Sequence, residues 1–260
     1  MSLPVHLVQM EACWEDKPAA YAKVLSLLAA APPAPGSLLV LPEMFATGFS
    51  TCLEATQEPV DGPTSTFLSE IAATWDCAVV GGLVVPGPDG RGSNQALAVA
   101  PDGQILARYT KMHPFAFGGE TAVHAPGVAP VLFEWGGLRI APLICYDLRF
   151  PEAAREAVAL GADVLLYLAA WPARRQQHWL TLLQARAIEN QAYAIGVNLC
   201  GQDPHFSYPG HSLVVDPHGV IIADAGGRET VLTSRLEPVV VSEWRAQFPA
   251  LTEFLQAAQD

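Results

Sequence analysis

Positive charge is scarce in this chain. Of 260 residues only 14 are lysine or arginine, against 26 aspartate or glutamate, a formal net charge of −12. A nucleic-acid-binding protein normally presents a basic face, and the only adjacent basic pair is Arg174-Arg175. The acidity also opposes anionic membrane surfaces, so neither nucleic acid nor membrane is expected as a partner. Cysteine is sparse too. Cys13, Cys52, Cys77, Cys145 and Cys200 are odd in number and have no CxxC spacing. A disulfide framework and a zinc site are therefore not expected, and a reducing cytoplasm fits best. No apolar run reaches the roughly 18 residues that a membrane span needs. The opening "MSLPVHLVQMEA" has neither a basic region nor a long apolar region, so no signal peptide is expected.

What is present is apolar. Hydrophobic residues make up 51% and charged residues 15%, enough for a large core and unlike a disordered chain. No linker, low-complexity tract or evident repeat divides the sequence, so residues 1–260 are read as one domain. Leu3 to Met10 reads as a strand. "DKPAAYAKVLSLLAAA" reads as a helix capped by Asp16, with Pro18 in its first turn and Tyr21, Val24, Leu25 and Leu28 on one face. "SLLVLPE" reads as a buried strand ending at Glu43, and "GPTSTFLSEIAATWD" as a helix capped by Thr64. "CAVVGGLVVP", "SNQALAVA" and "QILARY" continue as strands, the last two joined by a turn at Pro101–Gly103. The second half offers a hairpin ending in "LRIAPLIC", a helix at "PEAAREAVALGA" and a buried strand at "DVLLYLAA". A long helix at "RRQQHWLTLLQARAIENQA", a strand at "YAIGVNL" and a hairpin around Pro217-His218-Gly219 follow. Alternating strands and helices with interspersed hairpins imply an α/β domain with helices packed on mixed sheets.

Three polar residues stand where core strands end: Glu43 after "LLVLP", Lys111 after "ILARYT" and Cys145 after "IAPLI". Loops at strand ends, held by a rigid sheet, commonly carry binding and catalytic groups. A charged strand end can also be only where the chain meets water. Taken together, though, these three side chains make workable chemistry. A deprotonated thiol is a nucleophile, a carboxylate can take its proton, and an ammonium can hold the oxyanion formed at an acyl carbon.

"LVLPEMFATGF" resembles the glutamate motif of the nitrilase (carbon–nitrogen hydrolase) superfamily. "YTKMHPF" is similar to its lysine motif and "ICYDLRFPE" to its cysteine motif. The resemblance runs from "VQMEACWED" almost to the tail. "AAWPARRQQHWLTLLQARAIENQAYAIGVNLCGQD" and "YPGHSLVVDPHG" look most like the bacterial omega-amidase branch. The resemblance implies a four-layer αββα sandwich and a Glu–Lys–Cys triad. In it Glu43 is the general base, Lys111 the oxyanion stabiliser and Cys145 the nucleophile, and the Tyr146 amide is a second oxyanion donor. Glu120, in "FGGETAVHAPG", falls where many members carry a further glutamate, and is expected to orient Lys111 or a substrate N–H. The implied reaction releases ammonia from the terminal amide of 2-oxoglutaramate or 2-oxosuccinamate through a thioester, with no metal and no organic cofactor. The superfamily also implies a homodimer.

Around these motifs several readings stay open. Asp147 and Arg149 either touch substrate or pin the loop. Arg149, Arg174 and Arg175 are the candidates to meet a substrate carboxylate. Phe115 and Trp171 either wall the pocket or pack in the core, and His113 adjoins the entrance. The C-terminal stretch 240–260, with Trp244, Phe248, Leu251 and Phe254, suits a subunit contact or folds back over its own domain. Two alternatives compete with the omega-amidase reading on other grounds. One is another carbon–nitrogen hydrolase of the same scaffold, such as an N-carbamoyl amidohydrolase, a deaminated glutathione amidase or a nitrilase. The other is a thiol peroxide sensor, which leaves Glu43 and Lys111 unexplained.

Overall fold

Alternation along the first strands decides the layering. The computed structural model describes residues 2–257, with side chains through residue 253. Strand β1 (Leu3–Gln9) leads through helix α1 (Lys17–Ala30) to β2 (Leu38–Val40). After a short helix α2 (Leu53–Thr56), α3 (Pro63–Trp75) leads to β3 (Ala78–Pro86), β4 (Gly92–Val99) and β5 (Ile105–Thr110). Successive side chains of a strand point to opposite faces. The alternation holds throughout: Leu3, Val5 and Leu7, Leu38 and Val40, Ala78 and Val80, and Ala96 and Ala98 face one core. Their neighbours Val8, Leu39, Val79, Leu97 and Val99 face another, filled by Val24 and Leu28 of α1 and by Phe67, Leu68 and Ile71 of α3. The first sheet thus has helices on one side.

The second half builds the matching pair of layers. A short helix α4 (Glu120–Val123) precedes β6 (Phe133–Trp135) and β7 (Leu138–Ile144). Helix α5 (Pro151–Ala159), β8 (Val164–Ala169), α6 (Gln176–Asn190) and β9 (Tyr193–Asn198) follow. A small ribbon of β10 (Cys200–Gln202) and β11 (Ser207–Pro209) comes next, then β12 (Leu213–Val215), β13 (Ile221–Asp224), β14 (Thr230–Leu236), α7 (Pro238–Gln247) and α8 (Ala250–Ala257). The first sheet has the order β14-β1-β2-β3-β4-β5 and the second β13-β12-β9-β8-β7-β6. In each, three neighbouring strands are parallel, β1-β2-β3 and β7-β8-β9, and the flanking strands are antiparallel. Parallel neighbours need crossovers, and α1, α3, α5 and α6 supply them. Residues of both sheets share one core with α5 and α6. The result is the αββα sandwich expected.

Local expectations meet mixed outcomes. Asp16 caps α1, accepting from the Ala19 amide at 3.0 Å. Leu25, grouped by spacing on one face with Tyr21, Val24 and Leu28, is 47% exposed, while Val24 and Leu28 are buried. Thr64 does not cap α3. Gly62 stands at the N-cap, and Glu58 accepts from both the Thr64 amide (2.7 Å) and hydroxyl (2.9 Å), so a carboxylate from outside the helix satisfies its free first turn. The strand expected to reach Glu43 stops at Val40. Strands β10, β11 and β14 lie outside the sequence expectations. The tail folds back over its own domain. Val241 is buried, and Arg245 bonds the Gln191 and Ala162 carbonyls and the Asp163 carboxylate. Gln191 bonds the Phe248 carbonyl and the Leu251 amide, while Phe254 lies outside the described side chains.

Candidate active site

The three residues singled out at strand exits converge. Glu43 follows β2 across Leu41 and Pro42. Proline has no amide to extend the ladder, and Met44 takes a left-handed φ of 46°, so the chain turns out of the sheet there. Gly82 on β3 lies directly beneath this turn. A Cβ there would sit 2.5 Å from the Met44 nitrogen and 2.7 Å from the Glu43 Cα, so only glycine lets the backbone of β3 support Glu43. Lys111 follows β5, its amide bonded to the Asn94 carbonyl. Cys145 follows β7 with φ 44°, the left-handed region that an L-residue with a side chain occupies at a cost. A five-residue 3-10 turn, Cys145–Arg149, lies between the thiol and α5, which starts at Pro151 as expected.

Glu43, Glu120 and Lys111 are almost wholly buried. Buried ions persist only when paired and hydrogen-bonded, and every oxygen here has a donor. Lys111 Nζ donates to Glu43 Oε1 at 2.8 Å and to Glu120 Oε2 at 2.7 Å. Asn94 Nδ2 spans the same two carboxylates at 2.9 and 2.8 Å. The Ala170 amide donates to Glu43 Oε2 at 3.0 Å and the Phe115 amide to Glu120 Oε2 at 2.6 Å. His124 Nδ1 lies 3.2 Å from Glu120 Oε1. Glu120 therefore orients Lys111.

The electrostatics follow from this network. Burial opposes charge on Glu120, but the Lys111 ammonium, with hydrogen bonds from His124, Lys111 and the Phe115 amide, outweighs it and holds the carboxyl at about 2. Burial likewise works against the Lys111 ammonium, and Glu120 and Glu43 more than compensate, so its pKa rises. Cys145 goes the other way. Burial first, and then the Glu43 carboxylate, push its thiol well above the usual range, against the pull of Lys111 and the Ala170 amide. Burial and the Glu43 carboxylate therefore favour the thiol over the thiolate in the free site.

Asp147 is fully buried and pins the loop. Its Oδ2 accepts from the Tyr109 hydroxyl (2.6 Å) and the Ile144 amide (2.9 Å). Its Oδ1 accepts from the His113 amide (3.0 Å) and lies 2.8 Å from His113 Nδ1. One carboxylate thus ties the strand end bearing Lys111 to the turn bearing Cys145. Of the two roles that sequence leaves open for it, the structure selects the positioning one. Asn94 and His124 belong to the site, and sequence reasoning does not single them out. A histidine four residues beyond Glu120, one helical turn on, is the available signal for His124; Asn94, flanked by Ser93 and Gln95 in β4, has none.

Above the thiol is a cavity whose walls include Phe115, Tyr146, Arg149, Trp171, Arg175 and Phe206. Phe115 and Trp171 therefore wall the pocket. Trp171 is fixed by its indole N–H on the Arg175 carbonyl (2.8 Å) and by its amide on Asn198 Oδ1 (2.7 Å). Arg149 stacks over Trp171, 4.9 Å from the ring centroid, and bonds His178 Nδ1 at 2.8 Å. Arg174 is exposed and lies outside this cavity. His113 stacks on Phe150 at 3.7 Å.

A thiol, a carboxylate that can take its proton and an ammonium between two carboxylates define a site for thiol-based acyl chemistry. Residues 5–246 match the carbon–nitrogen hydrolase family, and the chain belongs to that family. It is 40% identical over 215 residues to the omega-amidase YafV of Yersinia enterocolitica, covering 82% of each chain. It is 33% identical over 217 residues to the 2-oxoglutaramate amidase of Bacillus subtilis strain 168, covering 83% of this chain and 84% of that one. Among solved structures, XC1258 from Xanthomonas campestris, a CN-hydrolase superfamily protein with an arsenic adduct in its active site, is similar with a TM-score of 0.90. The two are 35% identical, with 97% of each chain covered.

Proposed function

We propose that this protein is an amidohydrolase that releases ammonia from the terminal amide of small ω-amido 2-oxo acids, 2-oxoglutaramate and 2-oxosuccinamate. The observation that carries this reading is that Cys145 and Lys111 line one cavity walled by aromatics and arginine, with Lys111 paired to Glu43 at 2.8 Å. The names of the relatives above support the substrate class. Glu43 takes the thiol proton as sulfur attacks the amide carbon. The carbonyl electron pair moves to oxygen, and the Lys111 ammonium and the Tyr146 amide hold that oxyanion. Collapse expels the amine, Glu43 returns the proton, and ammonia leaves a thioester on Cys145. A water, losing its proton to Glu43, attacks the thioester. The acid departs and the thiol regains its proton. Because burial and the Glu43 carboxylate raise the thiol pKa, proton removal is expected to accompany attack rather than precede it.

Ammonia release should be followed with 2-oxoglutaramate and 2-oxosuccinamate beside glutamine, asparagine, an aliphatic nitrile and an N-carbamoyl amino acid. The oxo-amides are expected to exceed the others by at least about tenfold in kcat/KM. Turnover of only a nitrile or carbamoyl compound would move the protein to another branch of the family.

The same reading includes a homodimer in a reducing cytoplasm. All five cysteines are free thiols, and among the described residues no helix is long and apolar enough to cross a membrane. Ile188 and Phe248 are 56% and 55% exposed. Ile188 packs against Gly219, beside exposed Val220, while His218 contacts Trp244, which contacts Phe248. This exposed apolar stretch is the subunit contact we propose. Gel filtration at low micromolar concentration should give a dimer, and Ile188→Asp a monomer. A monomeric wild type would refute the contact.

A further inference from the structure

The mouth of the cavity has the opposite charge to the rest of the molecule. In a chain of net charge −12, Arg149, Arg174 and Arg175 meet on one outer groove with Phe115, Phe117 and Tyr146, and no acidic residue lines it. None of the three guanidiniums has a salt bridge to a carboxylate among the described residues. The three are not equivalent. Arg149 is already engaged by His178 and stacked on Trp171. Arg174 points over Phe206 at 5.8 Å and does not wall the cavity above the thiol. Arg175 does wall that cavity together with Cys145 and Lys111.

Arg175 is also held at its base and free at its tip. Its amide bonds the Pro172 carbonyl at 3.0 Å, and its carbonyl accepts the Trp171 indole N–H at 2.8 Å. Its guanidinium lies over the Phe115 ring, 5.2 Å from the centroid, and no hydrogen-bond acceptor meets it among the described residues. Phe115 in turn carries the amide that bonds Glu120, so the stacking surface is part of the same rigid frame. Burial disfavours the Arg175 charge, and Arg174 and Arg149 beside it disfavour it further. An anion entering the cavity relieves that repulsion.

We propose that Arg175 is the specificity-determining residue of this site and receives the carboxylate of an ω-amido acid whose amide carbon lies at Cys145. The proposal rests on the amidohydrolase reading above. A guanidinium offers two parallel N–H donors in the plane of a carboxylate, and a rigid stacking partner keeps that fork aligned. The discrimination is therefore between carboxylate-bearing and neutral linear amides, set at a residue that shares the cavity with Cys145 but takes no part in the bond changes.

The test compares kcat/KM for 2-oxoglutaramate with kcat/KM for butyramide, which has no carboxylate, in wild type, Arg175→Gln, Arg175→Lys and Arg149→Gln. In Arg175→Gln the ratio of the two should fall by about 100-fold, mainly through KM for the oxo acid. Arg175→Lys, which keeps the charge without the fork, should lose about tenfold. A ratio in Arg175→Gln within about threefold of wild type overturns the proposal, as does a loss confined to Arg149→Gln. A wild type that shows no preference between the two substrates overturns the oxo-acid substrate reading, and Arg175 with it, while leaving amide hydrolysis in place. The outcomes thus separate the two failures.

Discussion

Replacing Cys145 with alanine is expected to lower ammonia release by at least about 10⁴-fold while leaving the protein folded. The fold tolerates the change because the sulfur contributes little that the backbone does not. The turn at Cys145 is fixed by Asp147, which bonds Ile144 on one side and His113 on the other. Glu43 retains Lys111, Asn94 and the Ala170 amide as donors. Truncation of one buried sulfur should cost about 1 kcal/mol. A serine at this position keeps a donor toward Glu43 but is a far weaker nucleophile, so Cys145→Ser is also expected to lose at least about 10³-fold. Wild type mixed with substrate and quenched in acid should show the acyl adduct on the Cys145 peptide by mass spectrometry, and both variants should lack it. Turnover above a few per cent in Cys145→Ala, with an unchanged melting profile, would remove Cys145 from the mechanism.

Parts of this arrangement are legible in the sequence for identifiable reasons. Strands β3, β8 and β9 are buried along nearly their whole length, so they read as apolar runs. Glu43, Lys111 and Cys145 stand out because a polar group at the exit of such a run contrasts with what precedes it. Strand β14 is not legible. Its sequence "TVLTSRL" is partly exposed and pairs with β1, at the other end of the chain, from Leu3 with Leu236 to Gln9 with Thr230. Pairing of that kind is a property of the whole fold, and local pattern carries little of it. The same limit hides the network around Lys111. Asn94 matters because β4 happens to lie beside both carboxylates, and nothing in "SNQALAVA" fixes that placement. The choice among Arg149, Arg174 and Arg175 likewise depends on which guanidinium already has partners, and that is visible only in three dimensions.

The network makes Lys111 the one positive charge between two buried carboxylates, and its removal should have consequences beyond activity. In Lys111→Met, Glu43 and Glu120 remain fully buried and linked through Asn94. Loss of an oxyanion donor should lower kcat by about 10³-fold. Breaking a buried ion pair from one side should cost about 3–5 kcal/mol at about pH 8. The pH dependence of that loss distinguishes this account from a simple packing defect. In wild type the Glu120 carboxyl is held at about 2, below the ordinary 4.5. Its contribution to stability is complete above the ordinary value and lost only as pH falls toward 2, so it is flat between about pH 5.5 and 8. Without the ammonium the sign reverses. Burial and the neighbouring carboxylate raise the folded-state pKa of the pair above the unfolded value. The variant then gains stability as pH falls and loses it as pH rises. Within that window each pH unit changes stability by about 1.4 kcal/mol, roughly 3 °C in Tm for a chain of this size. The difference in Tm between wild type and Lys111→Met should therefore shrink by several degrees from about pH 8 to about pH 5.5. The double variant Lys111→Met/Glu120→Gln, with one carboxylate removed, should recover stability at about pH 8 without recovering activity. A Tm difference that stays constant across this range, or a double variant less stable than Lys111→Met, would mean that the two carboxylates do not depend on Lys111 for their charge.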